Sequence, residues 1–209
     1  MIDLVLPESR YAYAAALMQM HHDRKRVFVD KLGWSLPSPL SWLEVDDFDN
    51  DLAVYLLVRS PDGTRHEASV RLLPTTSRHM LGSIFRELCA GPVPAAEDCW
   101  EISRLVTSPP QVPGSSVLKA HRLLALGLIE FALLNSIRRY TLVTEPHRVA
   151  ALLSIGWRVV PLGLPTQCMG QELQALQIEV TESTFAQLSA RLGIDGGVLQ
   201  SLYPDRQAA

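Results

Sequence analysis

The sequence predicts an α/β protein in which a mixed β-sheet is covered by helices on both faces (α/β/α). Two observations lead to this fold class. Short strand-like segments alternate along the chain with segments of helical periodicity. The longest helical segment, residues 117–137, is apolar on nearly all sides, which is typical of a helix that is buried against other elements. At 209 residues, the chain is expected to form a single domain, 1–209.

The composition is that of a globular protein and excludes several classes of function. Hydrophobic residues make up 47% of the chain, charged residues make up 20%, and the net charge of −3 gives no reason to expect a nucleic-acid partner. The three cysteines, Cys89, Cys99 and Cys168, lie far apart, so free thiols in a reducing compartment are expected. The start of the chain lacks the basic segment of a signal peptide. The longest apolar run covers about half a membrane span. A cytoplasmic protein without membrane insertion is therefore expected.

The first half of the chain predicts a long helix followed by a hairpin. Apolar residues spaced by three and four indicate a helix over 10–30, ended by Gly33. Residues 35–41 contain two prolines and are not expected to be helical. Strands are expected over 53–58 and 67–73, joined by a turn at 60–63 and ended by Pro74, with a short helix over 80–88 next.

The second half continues the alternation. After a loop at 90–98, we expect a strand around Glu101, a proline-rich loop over 107–115, the apolar helix over 117–137, a strand over 140–144 and a helix ending near Gly156. Strands over 157–161 and 176–180 and a helix over 185–192 complete the pattern, and the C-terminal tail is polar.

Charged residues occupy apolar surroundings at three places. Glu101 and Ser103 share one face of their predicted strand, while Arg104 nominally takes the other. Arg24 falls on the apolar stripe of the first helix, and Arg71 stands within a largely apolar predicted strand. Two interpretations are open for these residues. In the ordinary one, Glu101 lies on a surface strand and Arg24 lies at the edge of the apolar stripe. In the functional one, the charged side chains line a cleft.

An acidic run, residues 44–51, concentrates five carboxylates. Such runs are usually solvated loops, but Asp46 and Asp49 are spaced to converge on one cation: an arginine, an amine or a metal. The run lacks the register of a calcium-binding loop, so no metal site is expected.

Several motifs, in order, resemble the acyl-homoserine-lactone synthase family, the LuxI-type autoinducer synthases. They are Arg24-x-x-x-Phe28 with Leu32-Gly33-Trp34, Glu44-x-Asp46-x-x-Asp49, Arg71-Leu72-Leu73-Pro74-Thr75-Thr76, Met80-Leu81 with Phe85, and Trp100-Glu101-x-Ser103-Arg104. They span roughly residues 24–104, and together they are specific. One departure is that Ala68 and Ser69 stand where the family often has glycine.

The resemblance implies a fold similar to that of GNAT-type N-acetyltransferases, with two central strands splayed to admit an acyl chain. A bulge in the Glu101 strand would let Glu101 and Arg104 serve one site. Leu142-Val143-Thr144 looks like the strand of the acyl pocket.

The resemblance also implies the chemistry: acylation of the amine of S-adenosylmethionine by an acyl-acyl-carrier protein, then lactone closure with release of methylthioadenosine. Adenosylmethionine is consumed as a substrate, so no cofactor is expected. The expected catalytic residues are Glu101 as base, Asp46, Asp49 and Arg71. The residues expected to bind adenosylmethionine are Arg24, Phe28, Trp34 and Arg104. The expected acyl pocket contains Phe85, Ser103 and Thr144, the last two as hydrogen-bond donors to a 3-oxo group.

The carrier protein, acidic as a class, requires a basic surface. Between residues 115 and 160, six lysines and arginines stand against two glutamates, in a chain of net charge −3. Arg138, Arg139 and Arg148 are therefore expected to dock the donor.

Two alternatives remain open. One is an acyl-CoA-dependent N-acyltransferase on the same fold, although the loop after Arg104 lacks a glycine-rich pyrophosphate cradle. The other is a non-catalytic module that binds an adenosyl or acyl ligand.

Overall fold

The computed structural model describes residues 1–34, 42–108 and 117–200. The predictions for residues 35–41, for most of the loop after Thr107 and for the C-terminal tail lie outside these residues. The chain divides into two compact units. Unit 1 comprises Met1–Arg71, Arg104–Gly127 and Val198–Ala209, and unit 2 comprises Leu72–Ser103 and Leu128–Gly197.

Unit 1 has a sheet in the order β4-β3-β2-β1-β9. Its strands are β1 (Ile2–Val5), β2 (Val54–Arg59), the first part of β3 (His66–Pro74), the last part of β4 (Cys99–Thr107) and β9 (Leu199–Gln200). Its helices are a 3-10 turn (Pro7–Tyr13), α1 (Ala14–Arg24), a π-helix (Lys25–Lys31) and the first half of α3 (Val117–Leu134). β1 is antiparallel to β2 and parallel to β9, so the sheet is mixed, as predicted.

The helix predicted over 10–30 is present, but its winding changes along its length. The α-helical part ends at Arg24, and the π-helical part carries Phe28 to its end at Lys31. Gly33 follows with a φ of +69°, the left-handed conformation that glycine adopts readily at a helix end. The sequence therefore predicts the extent of this helix correctly, although not its change of winding.

Unit 2 has a sheet in the order β6-β8-β5-β4-β3, with β7 paired to β8. Its remaining elements are α2 (Met80–Ser83), a 3-10 turn (Arg86–Leu88), β5 (Arg139–Thr144), a 3-10 turn (Pro146–Arg148), α4 (Val149–Ile155), β6 (Arg158–Pro161), β7 (Thr166–Cys168), β8 (Gln171–Glu179) and α5 (Glu182–Leu192). β4 is parallel to β5, and β5 is antiparallel to β8.

The ladder between β4 and β5 ends early. Cys99–Ile102 pair with Arg139–Leu142, but β5 continues to Thr144 along β8 without a further partner residue on β4. Two residues beyond Ile102, Arg104 has a φ of +54°, which is uncommon for a residue with a side chain. The separation of the two central strands and the distortion of the Glu101 strand agree with the sequence-based expectation.

Opposite faces of β4 and β5 pack on different helices. The Trp100 ring meets that of Phe131 in α3 edge-on, with centroids 5.5 Å apart, and the Tyr140 hydroxyl donates to the carbonyl oxygen of Leu128 at 2.8 Å. Glu101 contacts α2 instead. Helices therefore cover both faces of this sheet, as predicted.

Several predicted boundaries were wrong. The helix expected over 80–88 is split, because α2 ends at Ser83 and a 3-10 turn begins at Arg86. α3 ends at Leu134, three residues early, and Ser136 beyond it has a φ of +55°. β1, β7 and β9 were not predicted. No helix within the described residues is long and apolar enough to span a membrane.

Candidate functional site

Unit 1 contains a network of six charged side chains. Three are arginines from three different elements: Arg24 at the end of α1, Arg71 in β3 and Arg104 in β4. The other three are carboxylates from the acidic run, namely Glu44, Asp46 and Asp49. The acidic run therefore pairs with arginines, which is one of the three partners that its spacing allowed.

Arg24 is held on both sides of its guanidinium. It forms a bidentate pair with Asp49, with Nη1–Oδ1 and Nη2–Oδ2 distances of 2.7 and 2.9 Å. Its Nε donates to Glu44 Oε2. The side chain has no exposed surface, and neither has Glu44, so Arg24 is not at the edge of the apolar stripe. A planar guanidinium with fixed donors suits this arrangement better than a lysine would.

Arg71 and Arg104 extend the same network. Arg71 Nη1 donates to Asp46 Oδ1 at 2.6 Å and to Asp49 Oδ1 at 2.8 Å. Arg104 donates from Nε to Glu44 Oε1 at 3.0 Å and from Nη2 to Asp46 Oδ2 at 2.5 Å. Each carboxylate thus serves two arginines, and charged groups that are expensive to bury alone are compensated.

The network holds Asp49 in the charged form. Burial alone would raise the pKa of Asp49, but the charges of Arg24 and Arg71 and the hydrogen bonds from Arg24 lower it well below its ordinary value. The Tyr55 hydroxyl donates to Asp49 Oδ1 at 2.9 Å, and burial followed by the charge of Asp49 raises the pKa of that hydroxyl. Tyr55 therefore stays a donor to the network.

Two aromatic rings lie against the network. Phe28 and Trp34 stack with centroids 4.9 Å apart and an interplanar angle of 26°. The guanidinium carbon of Arg104 lies 5.4 Å from the Phe28 centroid and 6.0 Å from that of Trp34. This is within the range of a cation–π contact. Phe28 is buried and Trp34 is half-buried, so the pair forms a partly accessible aromatic surface beside a cation.

Unit 2 contains Glu101, whose side chain is buried. Its two carboxylate oxygens accept hydrogen bonds from consecutive backbone N–H groups at the start of α2, Met80 N at 2.9 Å and Leu81 N at 2.6 Å. Since a charged carboxylate only accepts, two N–H donors suit its ionised form. Glu101 is thus fixed in position inside an apolar sheet, and it is not the solvated glutamate of a surface strand.

A histidine and a glycine hold the backbone that anchors Glu101. His79 precedes Met80, is 5% exposed, and its Nδ1 lies 2.8 Å from the carbonyl oxygen of Ser77. Gly82 lies against the imidazole, because a Cβ at this position would stand 2.8 Å from Cε1 of His79. The sequence reasoning missed both residues, since a lone histidine and a glycine in a short helix carry no distinctive pattern.

The residues predicted for the acyl pocket lie at different places in unit 2. Ser103 follows Glu101 by two residues and nominally shares its face. Phe85 is buried between α2 and the next turn. Thr144 has the same parity in β5 as Tyr140, whose side chain faces α3. The strand pairing therefore separates Thr144 from the face that carries Glu101.

Thr141 lies on the face of the sheet that carries Glu101, whereas Thr144 lies on the opposite face. It is the β5 partner of Glu101 in the parallel ladder, so the two side chains point to the same side of the sheet. Thr141 is fully buried, and its hydroxyl has no hydrogen-bond partner within the described residues. Sequence reasoning missed Thr141 because both threonines fit a strand equally well, and only the register distinguishes them.

The arginines predicted to dock a donor differ in their pairing. Arg139 Nη2 lies 2.6 Å from Asp98 Oδ1, and Arg148 pairs with Glu145. Arg138 is exposed and forms no ion pair with any residue that the structure describes. The described parts of the chain contain no group of three histidine, cysteine or acidic side chains that could hold a metal ion.

Comparison with known proteins decides the family. The sequence profile described as Autoinducer synthase matches residues 8–188. The chain belongs to the autoinducer synthase family. The chain is also 33% identical over 180 residues to an acyl-homoserine-lactone synthase of Ralstonia nicotianae, which covers 84% of this chain and 85% of the relative. As a member of the family, it is an acyltransferase of the acyl-homoserine-lactone synthase class.

Solved structures extend the comparison with the synthase family. A CoA-dependent acyl-homoserine lactone synthase, BjaI, solved with SAM and isopentyl-CoA, matches with a TM-score of 0.87 and 28% identity, covering 96% of this chain and 92% of that one. A putative N-acetyltransferase from Lactobacillus plantarum matches with a TM-score of 0.56 and 17% identity, covering 86% and 99%. The predicted likeness to the N-acetyltransferase fold is thereby confirmed.

Proposed function

We propose that this synthase acylates the amine of S-adenosylmethionine with an acyl thioester and then closes the lactone. The observation that carries the proposal is Glu101, a buried carboxylate fixed by two backbone N–H groups in the strand beside the end of the β4–β5 ladder. An ammonium group cannot attack a thioester until it has lost a proton, and a fixed carboxylate, acting directly or through a water molecule, accepts that proton.

The reaction then proceeds in two bond exchanges. The freed amine forms the amide bond as the thioester C–S bond breaks, and the donor thiol leaves with the electron pair and takes up a proton. The methionyl carboxylate then attacks its own γ-carbon, the bond from that carbon to the sulfonium breaks, and methylthioadenosine leaves. Adenosylmethionine is thus a substrate that the reaction consumes.

We assign different roles to the residues of unit 1. Arg104 with the Phe28–Trp34 pair offers a cation and aromatic faces, which suit the carboxylate and the adenosyl or sulfonium groups of the substrate. Arg24 has no exposed surface, so we assign it to positioning. Asp46, Asp49 and Arg71 hold this arrangement together through the network, and Glu44 joins them although the sequence reasoning gave it no separate role.

The acyl donor is either a carrier protein or CoA. A basic docking surface would favour the carrier, but Arg139 and Arg148 are already paired with carboxylates, which reduces their attraction for an acidic partner. That leaves Arg138 as the docking cation in our proposal. A CoA donor has the support of two relatives, since BjaI and MesI are both described as CoA-dependent.

Incubation of the purified enzyme with radiolabelled adenosylmethionine and a panel of acyl-carrier proteins and acyl-CoAs tests the proposal. Labelled lactone together with methylthioadenosine supports it, and the donor that gives the higher kcat/KM identifies the thioester. Acyl transfer to another amine would instead support a general N-acyltransferase. Binding of adenosylmethionine without turnover would support a non-catalytic module.

A further inference from the structure

Asp23, His66 and Ser108 form a polar cluster in unit 1, in which Asp23 and His66 are buried and Ser108 is half-buried. His66 Nδ1 lies 2.8 Å from Asp23 Oδ2, and the Ser108 hydroxyl donates to the same oxygen. Asp23 is 9% exposed and His66 is 5% exposed. Because the carboxylate only accepts, the His66 proton must be on Nδ1 in this pair.

The cluster has the residue types of a nucleophilic triad but not its geometry. In such a triad, the histidine contacts the serine and the acid through different ring nitrogens. Here Ser108 Oγ lies 3.3 Å from the same Nδ1 that meets Asp23, and Nε2 is buried without a partner in the described residues. Ser108 is therefore not activated as a nucleophile, and the cluster calls for another explanation.

The three residues belong to the three elements that carry the arginines. Asp23 immediately precedes Arg24, His66 begins β3, which carries Arg71, and Ser108 follows β4, which carries Arg104. A second contact joins the same elements, because His66 N donates to Gln19 Oε1 in α1 at 3.0 Å. Ser108 N also donates to the Glu67 carbonyl oxygen in β3 at 2.9 Å.

The end of α1 needs such an anchor. Directly after Arg24 the chain changes from α-helical to π-helical winding, a change that is frequent at functional sites and interrupts the regular hydrogen-bond ladder. Burial alone would raise the pKa of Asp23, but hydrogen bonds from His66 and Ser108 lower it, and the carboxylate remains a charged acceptor. Arg26 Nη1, at 3.3 Å from Oδ1, is the third donor.

We propose that Asp23 is a positioning residue for adenosylmethionine binding, because it fixes the ends of the three elements that carry Arg24, Arg71 and Arg104. The inference rests on the proposed function, since it assumes that the arginine network and its aromatic pair receive adenosylmethionine. None of the three cluster residues needs to touch the substrate. Their loss acts through the arginines, and it affects the binding of one substrate more than the other.

The sharpest test compares Ser108→Ala with Ser108→Thr. The alanine variant removes one hydrogen bond to Asp23, while the threonine variant keeps the hydroxyl. We expect Ser108→Ala to raise the KM for adenosylmethionine about five- to tenfold, equivalent to roughly one net hydrogen bond, and Ser108→Thr to restore it. The KM for the acyl donor should change less than about twofold. Asp23→Ala, which removes the common acceptor, should have a larger effect in the same direction.

Asp3→Ala is the matched control. Asp3 is a buried carboxylate of unit 1 that accepts from Arg59 and from Gln200 Nε2, the latter at 2.8 Å. The Asp3→Ala variant should have a lower thermal unfolding midpoint than the wild type, without a selective rise in the KM for adenosylmethionine. An equal rise in Asp3→Ala, or wild-type constants in a folded Ser108→Ala, would overturn the proposal.

Calorimetric binding separates this inference from the proposed function. Wild-type enzyme that does not bind adenosylmethionine would refute the function itself. Wild-type enzyme that binds it normally, together with a Ser108→Ala variant of equal affinity, would refute the positioning role alone. If Asp23→Ala does not fold, the two Ser108 variants, which change a single contact, decide the outcome.

Discussion

Glu101 keeps its place because consecutive N–H groups, those of Met80 and Leu81, donate to its two carboxylate oxygens. This anchoring has a chemical consequence. A buried base that is free to rotate would lose part of its advantage, since proton transfer requires the acceptor within hydrogen-bond reach of the amine. The two N–H groups fix the carboxylate before the substrate arrives.

Glu101→Gln should lower lactone synthesis by roughly 10²–10⁴-fold. The amide has no basicity, and its NH₂ group must also face the N–H of Met80 or Leu81, which leaves that donor without an acceptor. We expect the affinity for adenosylmethionine to change much less, as measured by calorimetry. Glu97→Gln, at an exposed position before the same strand, is the control. Near wild-type turnover in Glu101→Gln would transfer the role of base to Asp46 or Asp49.

The two threonines of β5 give a second prediction at single residues. A 3-oxo group inside an apolar pocket loses water and needs a donor, at a cost of about 1–3 kcal/mol if none is present. The buried hydroxyl of Thr141 has no partner in the described residues and shares the face of Glu101, whereas Thr144 has the parity of the α3 face.

Thr141→Val and Thr144→Val remove one hydroxyl each and keep the branched shape. If Thr141 contacts the 3-oxo group, its variant should lose about tenfold in preference for 3-oxo over unsubstituted donors of equal length. Competition assays with the two donors measure the ratio. A drop confined to Thr144→Val would support the residue indicated by the sequence resemblance. Unchanged ratios in both variants would leave the threonines as packing residues.

At the scale of elements, α2 matters because the backbone N–H groups at its start donate hydrogen bonds to Glu101. It is only four residues long, and its first two N–H groups hold Glu101. The imidazole of His79 packs against Gly82 inside the same turn, so the backbone there has one tightly packed arrangement. The geometry of the proposed base, Glu101, therefore depends on a helix that offers little stability of its own.

Gly82→Ala should lower kcat by about tenfold, because the added Cβ must displace the buried His79 ring and with it the backbone at Met80. Steady-state kinetics with saturating substrates measure this effect. Gly91→Ala is the matched control, since a Cβ at Gly91 has no neighbour within 4 Å and its φ is not positive. Equal kcat values in the two variants would show that α2 tolerates the displacement.

The elements also show how far sequence reasoning reaches. Apolar periodicity correctly predicts α1, α3, α4 and α5 and the strands from β2 to β6, because their apolar residues repeat regularly, whereas the helix expected over 80–88 is split after α2. It misses β1, a run of four buried residues without alternation, and β9, which is only two residues long. Periodicity also cannot show the π-helical winding after Arg24, since that change depends on packing and not on the spacing of apolar residues.

In the candidate site, too, local sequence patterns indicate some residues, while others are recognised only from their contacts in the fold. Charged residues in apolar surroundings make Arg24, Arg71, Arg104 and Glu101 candidates in the sequence, with an ordinary interpretation beside the functional one, and only the family resemblance implies their roles. The identity of each partner comes from long-range pairing. Glu44, Thr141 and Asp23 gain their importance from contacts with residues distant in the chain, and local sequence does not contain that information.

For the whole molecule, the arginine network predicts how stability depends on pH. The pKa of Asp49 is lowered in the folded state, so the unfolded state binds the proton first as the pH falls. The contribution of Asp49 is fully present above its ordinary pKa of about 4, and it is lost progressively below that value.

We therefore expect the free energy of unfolding to fall by up to about 1.4 kcal/mol per pH unit for Asp49 alone below about pH 4. Urea unfolding between pH 3 and pH 7 measures this slope. Repeating the series at about 1 M salt is the control, since salt screens exposed charges far more than buried pairs. A stability that stays constant down to pH 3 would contradict the prediction.

The exposed side chain of Arg138 bears on the identity of the acyl donor. If the donor is an acidic carrier protein, Arg138→Glu should raise its KM about two- to fivefold, and raised salt should act in the same direction. The KM for adenosylmethionine should not change. Arg86→Glu, an exposed arginine outside residues 115–160, is the control. If neither raised salt nor Arg138→Glu changes the KM for the acylated carrier protein, a CoA donor is favoured.

The network of six charged side chains also constrains how this enzyme can change. Its three cations and three anions cancel, and each anion is shared by two cations, so no member can be exchanged alone without leaving a buried charge uncompensated. Laboratory evolution by single substitutions should therefore find few viable steps among these positions. New substrate preferences should arise instead at buried uncharged positions, such as Thr141 and Ser69, where one exchange leaves the charge balance intact.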